Sequence, residues 1–130
     1  MSNPELNKGR FDGRKERGRR AEQAAGEYLK SLGYAVIARN WRCRSGEIDL
    51  VASHGNTIVI VEVRSRSLSA AAFGTPAESI TARKIRQVRD TAAVYLHQTG
   101  QSGANIRFDV VAVTFGSGSE FNLEHIQSAF

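Results

Sequence analysis

Gly46-Glu47-Ile48-Asp49-Leu50-Val51-Ala52 and, after a short break, Ile58-Val59-Ile60-Val61-Glu62-Val63-Arg64 decide how this chain is read. Both runs are apolar and rich in β-branched residues, which favours strands. Each also carries an acidic residue where a buried strand ordinarily carries none. Gly55-Asn56 lies between them, a dipeptide suited to a two-residue hairpin loop. With that loop His54 faces Thr57, and counting outward sets Asp49 opposite Glu62 and Glu47 opposite Arg64. Opposed side chains in an antiparallel pair lie about 4.5–5.5 Å apart at Cβ, and like charges there repel. Strict alternation places Ile58, Ile60, Glu62 and Arg64 on one face of their strand, with Asp49 beside them, and Val59, Val61 and Val63 on the other.

Working outward, Trp41 to Ser45 reads as a polar, basic connection and Tyr34 to Asn40 as a first strand. Ahead of it, Ala21, Ala24, Ala25, Tyr28, Leu29 and Leu32 recur at helical spacing, and Gly33 suits a C-terminal cap. Glu22 sits on the border of that apolar stripe. It is either a carboxylate turned along the sheet or a first-turn acid favoured by the helix dipole. On the C-terminal side, Leu68 to Thr75 is a loop of small residues ending before Pro76. Thr81 is an N-cap for a second helix, whose buried face is Ile85, Val88, Ala92, Tyr95 and Leu96, with Gly100 at its exit. Ile106 to Phe115 is a fourth strand and Glu120 to Ile126 an edge strand. A strand that follows a helix can return parallel to the third by a right-handed crossover. The order therefore predicts an α/β fold, a mixed sheet with helices packed against it.

A chain of 130 residues is the size of one domain. Residues 1–17 read as a basic flexible arm and 18–130 as the domain. Hydrophobic content of 41% and charged content of 24% are those of a soluble globular protein. No apolar run approaches the ~20 residues of a membrane helix, and no leader segment is evident. Cys43 is the only cysteine, which excludes an internal disulfide and a cysteine-based zinc site. A cytoplasmic location is expected. His54, His97 and His125 are scattered without metal-ligand spacing. The net charge of +5 gathers at Lys8 to Arg20, Arg39 to Arg44, Arg64 with Arg66, and Arg83 to Arg89. Such a balance suits a polyanionic partner or a solubilising surface. Trp41, among arginines, is either a base-stacking group or a rim residue over the core. Asp109 belongs to a strand end near the site or pairs with a nearby arginine.

Two close carboxylates and a backbone carbonyl are hard oxygen ligands suited to Mg²⁺, which binds through one or two carboxylates and keeps several waters. Such an ion polarises a phosphate oxygen and activates water, and a neighbouring cation steadies the developing charge. Phosphodiester hydrolysis is the reaction class this favours. The structural alternative is that these are strand acids on a solvated face, with Arg64 answering Glu47 across the pair.

Glu22 on the first helix, Gly46-Glu47-Ile48-Asp49-Leu50 on a strand, and Val61-Glu62-Val63-Arg64 together resemble the PD-(D/E)XK nuclease superfamily. They look closest to the YraN-like proteins of bacteria, relatives of the archaeal Holliday-junction resolvases. Gly18-Arg19-Arg20-Ala21-Glu22, Trp41 to Leu50, Val61 to Arg66, Phe73 to Glu78, the helix near Lys84 and Arg107 to Ala112 carry the similarity, from about Gly18 to the C-terminus. The resemblance implies a restriction-endonuclease-like core, a mixed β-sheet flanked by helices. In it Asp49, Glu62 and the Val63 carbonyl hold Mg²⁺ or Mn²⁺, and Glu22 adds a carboxylate. It implies a metal-dependent endonuclease acting on DNA, including branched or structured DNA, and by analogy a homodimer. Arg19, Arg20, Arg42, Arg44, Arg66 and Lys84 are the expected nucleic-acid contacts. Arg64 stands where the superfamily has lysine. It can stabilise charge or grip a phosphate, but it cannot accept a proton. That departure supports an alternative, a non-catalytic nucleic-acid-binding module on a nuclease fold.

Overall fold

A computed structural model describes residues 13–68, 80–118 and 120–130. The elements follow as α1 (Gly13–Ser31), β1 (Ala35–Cys43), β2 (Gly46–His54), β3 (Thr57–Ser67), α2 (Ala82–Gln98), β4 (Asn105–Phe115) and β5 (Phe121–Ile126). The five strands form one sheet in the order β1-β2-β3-β4-β5. β1, β2 and β3 are joined antiparallel, β4 returns parallel to β3 after α2, and β5 pairs antiparallel at the edge. The predicted α/β architecture is the observed one, including the His54↔Thr57 register of the central hairpin.

Among the described residues each face of the sheet carries one helix. Ala21, Ala25 and Leu29 of α1 pack on Leu50, Ala52, Val59, Val61, Val111 and Val113. Val88, Ala92, Tyr95 and Leu96 of α2 pack on Ile48, Val51, Ile58, Ile60 and Phe108. Period-2 alternation along β3 sorts its residues between the two, as the sequence predicted. The helix ends follow local chemistry. Thr81 Oγ1 accepts from the Lys84 N–H at 3.1 Å. Gly33, at φ +91°, closes α1, with Gly33 N–H on the Lys30 carbonyl and Tyr34 N–H on the Leu29 carbonyl.

Three expectations need correction. α1 begins at Gly13, inside the stretch assigned to the arm. Its first turns are Lys, Glu and Arg, good helix formers that leave no apolar period to detect. β1 continues through Trp41-Arg42-Cys43, and the hairpin to β2 turns on Arg44-Ser45 alone. Leu32 is 49% exposed, because the helix ends as it reaches the surface. The rest of the proposed arm and the loop beyond Leu68 lie outside the described residues.

Beside the α1 core lies a polar cluster. Asp109 is fully buried. Arg107 donates to it at 2.8 Å, the His125 ring lies at 2.7 Å, and the Ser128 N–H donates at 3.0 Å. Burial alone would raise its pKa, but these partners hold it below the ordinary carboxylate range. Asp109 thus pairs with an arginine, as one of its two sequence readings had it, and it fixes β5 and the C-terminal turn to β4. Trp41 packs edge-on against Tyr95 as a rim residue. Asp109→Ala strands Arg107 and His125 and should lower stability by about 3 kcal/mol in urea unfolding. A change below about 1 kcal/mol would show that the cluster does not hold the C-terminal strand.

Candidate active site

The β2–β3 ladder runs from His54↔Thr57 to Leu50↔Val61 and ends there. One step further, the Val63 N–H donates to the Asp49 carboxylate, N to Oδ2 2.8 Å. A side-chain oxygen takes the backbone donor that a continued ladder would have used, and the strands part. In an antiparallel pair a residue that turns its N–H to the neighbour turns its carbonyl there too. The Val63 carbonyl therefore faces the same opening.

Alternation also breaks at this level. Ile48 and Leu50 are two residues apart, yet they enter cores on opposite faces of the sheet. Their register partners do the same. Arg39 lies against α1 at Gly26, whereas Trp41 packs on Tyr95 of α2. Between them Asn40 takes φ +49°, a left-handed conformation that asparagine tolerates. The expected placement of Asp49 on the Glu62 face by simple alternation is therefore wrong in its cause. The double reversal turns Asp49 into the seam between the strands, and there it meets Glu62.

The electrostatics follow from that meeting. The Glu62 side chain is 5% exposed. Burial, and then repulsion from Asp49, push its pKa up to about 7, against the pull of Lys84. Burial likewise raises Asp49, opposed by the Val63 N–H and by Lys84. Glu22, reaching in from α1, is raised by burial and by Asp49, while its hydrogen bond to Asn40 acts the other way. Lys84 of α2 brings Nζ to 3.4 Å from Glu62 Oε1. Arg64 makes no ion pair among the described residues, so the Arg64–Glu47 pair of the structural alternative is not formed. Glu47 pairs instead with Arg42, its register partner on β1. The physical reason is that β2 leaves β3 before reaching Glu47 but stays paired with β1 as far as Gly46.

Asp49, Glu62 and the Val63 carbonyl are hard donors that fit Mg²⁺ or Mn²⁺. Among the described residues no three acidic, histidine or cysteine side chains gather into a closed cage. Glu22 stands beside the pair and is not a third member of it. Mg²⁺ does not require such a cage, because it retains water.

A model of the uncharacterised protein family UPF0102 matches residues 21–113, which include Glu22, Asp49, Glu62, Arg64 and Lys84. The chain belongs to family UPF0102. A UPF0102 protein of Pelotomaculum thermopropionicum is 45% identical over 120 residues, covering 92% of this chain and 98% of its own. One from Rhodococcus opacus is 41% identical over 113 residues, covering 87% and 94%. One from Moorella thermoacetica is 49% identical over 100 residues, covering 77% and 82%. UPF0102 is the YraN-like group that the central motifs resemble.

In this UPF0102 chain the predicted nucleic-acid contacts are dispersed. Arg19 and Arg42 line an open groove of about 500 Å³ with Lys15, Glu22, Asn40 and Glu47. Both are already engaged, Arg19 with Glu16 and Arg42 with Glu47. Arg20 lies over the Phe115 ring at 4.7 Å, and Arg66 donates to Thr114 Oγ1. Arg44 is exposed at the β1–β2 turn. Of the six, Lys84 is the one whose ion pair among the described residues is with the acidic pair, at Glu62. Its position in the first turn of α2 could be read from the sequence, but the strand facing that turn could not. No described helix is long and apolar enough to cross a membrane.

The raised acids set a pH dependence. The folded chain holds more protons than the unfolded one between the ordinary glutamate value of 4.5 and about 7. Stability therefore falls as pH rises through that window. Without metal, melting temperature should drop between about pH 5 and about pH 8. Millimolar Mg²⁺ should restore it at the upper end only, where the carboxylates are free to bind. Glu62→Gln should remove the Mg²⁺ effect, leave only the pH dependence set by Asp49 and Glu22, and stabilise the metal-free protein at the higher pH by roughly 2–3 kcal/mol. Equal melting temperatures across the window, with or without Mg²⁺, would contradict this electrostatic picture.

Proposed function

We propose that the chain is a metal-dependent nuclease that hydrolyses phosphodiester bonds in DNA, with a PD-(D/E)XK-type site on a restriction-endonuclease-like core. The observation that carries the reading is the pair of a buried Glu62 and a half-buried Asp49 at the end of the β2–β3 ladder. The Val63 N–H and Lys84 offset the cost of setting two carboxylates in one seam only in part, since both acids are raised, and an entering cation would relieve the rest.

Bound there, Mg²⁺ or Mn²⁺ would polarise the phosphate and supply an activated water. Asp49 and Glu62, with the Val63 carbonyl, are the residues that would hold it. Glu22, hydrogen-bonded to Asn40, completes an acidic wall on the α1 side and can orient water at its carboxylate. Arg64 adds positive charge close enough to lower the Glu62 pKa. The groove beside Glu22 is edged by Lys15, Arg19 and Arg42, with Asn40 and Glu47 also lining it. Branched or structured DNA is the substrate class that the resolvase likeness favours.

The reading is tested by incubating the purified full chain with linear, flapped and four-way-junction DNA in Mg²⁺, Mn²⁺ or EDTA. Cutting is expected with either metal and not with EDTA. Asp49→Asn and Glu62→Gln should each slow it roughly 100-fold or more, and DNA affinity should fall steeply with salt. Tight, salt-sensitive binding without cutting, unchanged by either substitution, would replace the nuclease reading with that of a binding module.

A further inference from the structure

The cation paired with Glu62 comes from α2, the helix packed on the sheet face that Ile58 and Ile60 share with Glu62. Arg64, two residues along β3, makes no ion pair among the described residues, while Lys84 from α2 reaches Glu62 Oε1 at 3.4 Å. We propose that Lys84 is a catalytic residue, whose ammonium contacts a non-bridging oxygen of the phosphodiester brought to Asp49 and Glu62 and stabilises the charge that builds there. This rests on the reading of the site as a phosphodiesterase.

The fold holds Lys84 at that place. Its own N–H is tied to the Thr81 hydroxyl at 3.1 Å, so the residue sits in the first, capped turn of α2. Val88, Ala92, Tyr95 and Leu96 anchor the helix on the β-sheet. Gln87, one turn beyond Lys84, lies so close to Gly46 that a Cβ there would come within 2.9 Å of it. The glycine thus lets the first turns of α2 close over the head of β2. Lys84 also lowers the pKa of Asp49, so its charge faces both carboxylates.

The contact is poised rather than locked. Charge-assisted N–H···O bonds are about 2.7–2.9 Å long, and this one is longer. The Lys84 side chain is 33% exposed against 5% for Glu62, so the ammonium stands at the mouth of the site. It has three donors on a flexible stem. One can stay with Glu62 while another meets an incoming phosphate oxygen. In the reaction, the water oxygen forms a new bond to phosphorus as one ester P–O bond breaks. One water proton ends on the departing oxygen and the other on the phosphate monoester. Lys84 is an ammonium before and after.

Lys84→Met tests this in the full chain, with three readouts. Single-turnover cleavage with DNA-saturating protein should fall roughly 100-fold or more, the usual loss for one transition-state donor. DNA affinity in EDTA should change only a few-fold. Mn²⁺ binding, followed by calorimetry, should be kept or tightened, because a competing cation has gone. Lys84→Gln gives a second variant should Met lower the melting temperature. Wild-type cutting with an undiminished rate in both variants would overturn the assignment. So would a Mn²⁺ affinity at least about tenfold weaker, which would make Lys84 a positioning residue for Glu62. If the wild type itself does not cut, the nuclease reading fails first and this assignment fails with it.

Discussion

The hydrogen bond from the Val63 N–H to the Asp49 carboxylate, 2.8 Å long, governs the rest of the site. It ends the central ladder one step early, opens a seam between β2 and β3, and turns the Val63 carbonyl toward it. It also holds Asp49 where Glu62 must meet it. The paired reversal at Asn40 and Asp49 allows this without unpairing β1 from β2, which stay in register to Cys43↔Gly46. The sheet therefore remains a rigid scaffold on both sides of a local opening, the arrangement that positions functional groups most precisely.

Two buried acids in the same sheet show what distinguishes structure from site. Asp109 has an arginine, a histidine and a backbone N–H around it, and its pKa is lowered. Glu62 has another acid and one loosely held lysine, and its pKa is raised. A carboxylate with a full set of donors contributes to folding. One left facing its own kind weakens the metal-free fold and favours a cation. The chain tolerates this because the cores on both faces of the sheet are closed by α1 and α2.

The architecture was largely visible in the sequence, because alternation in β3 and the helical periods of α1 and α2 each name a buried face. The Gly55-Asn56 loop set the hairpin register. The start of α1 was hidden by its polarity. Trp41-Arg42-Cys43 was misread for a related reason, since half of a strand's residues face away from the core. At the site, the acidic pair was found by counting, although strict alternation gave the wrong cause. A reversal at Asn40 and Asp49 leaves no mark in a pattern of apolar residues. The partner of Glu62 was beyond the sequence altogether. Lys84 is separated from β3 by residues of no regular period, and only the docking of α2 brings it to the seam. Arg64, adjacent in the motif, was the natural candidate and proved to be the more distant cation.

The central claim is that Asp49 and Glu62 share one hard ion. Crystals grown above neutral pH and soaked in Mn²⁺ test it most directly, through anomalous scattering at the manganese edge. The expected map has one peak between the Asp49 and Glu62 carboxylates, in contact with the Val63 carbonyl and completed by water. A map with no peak there would contradict the claim.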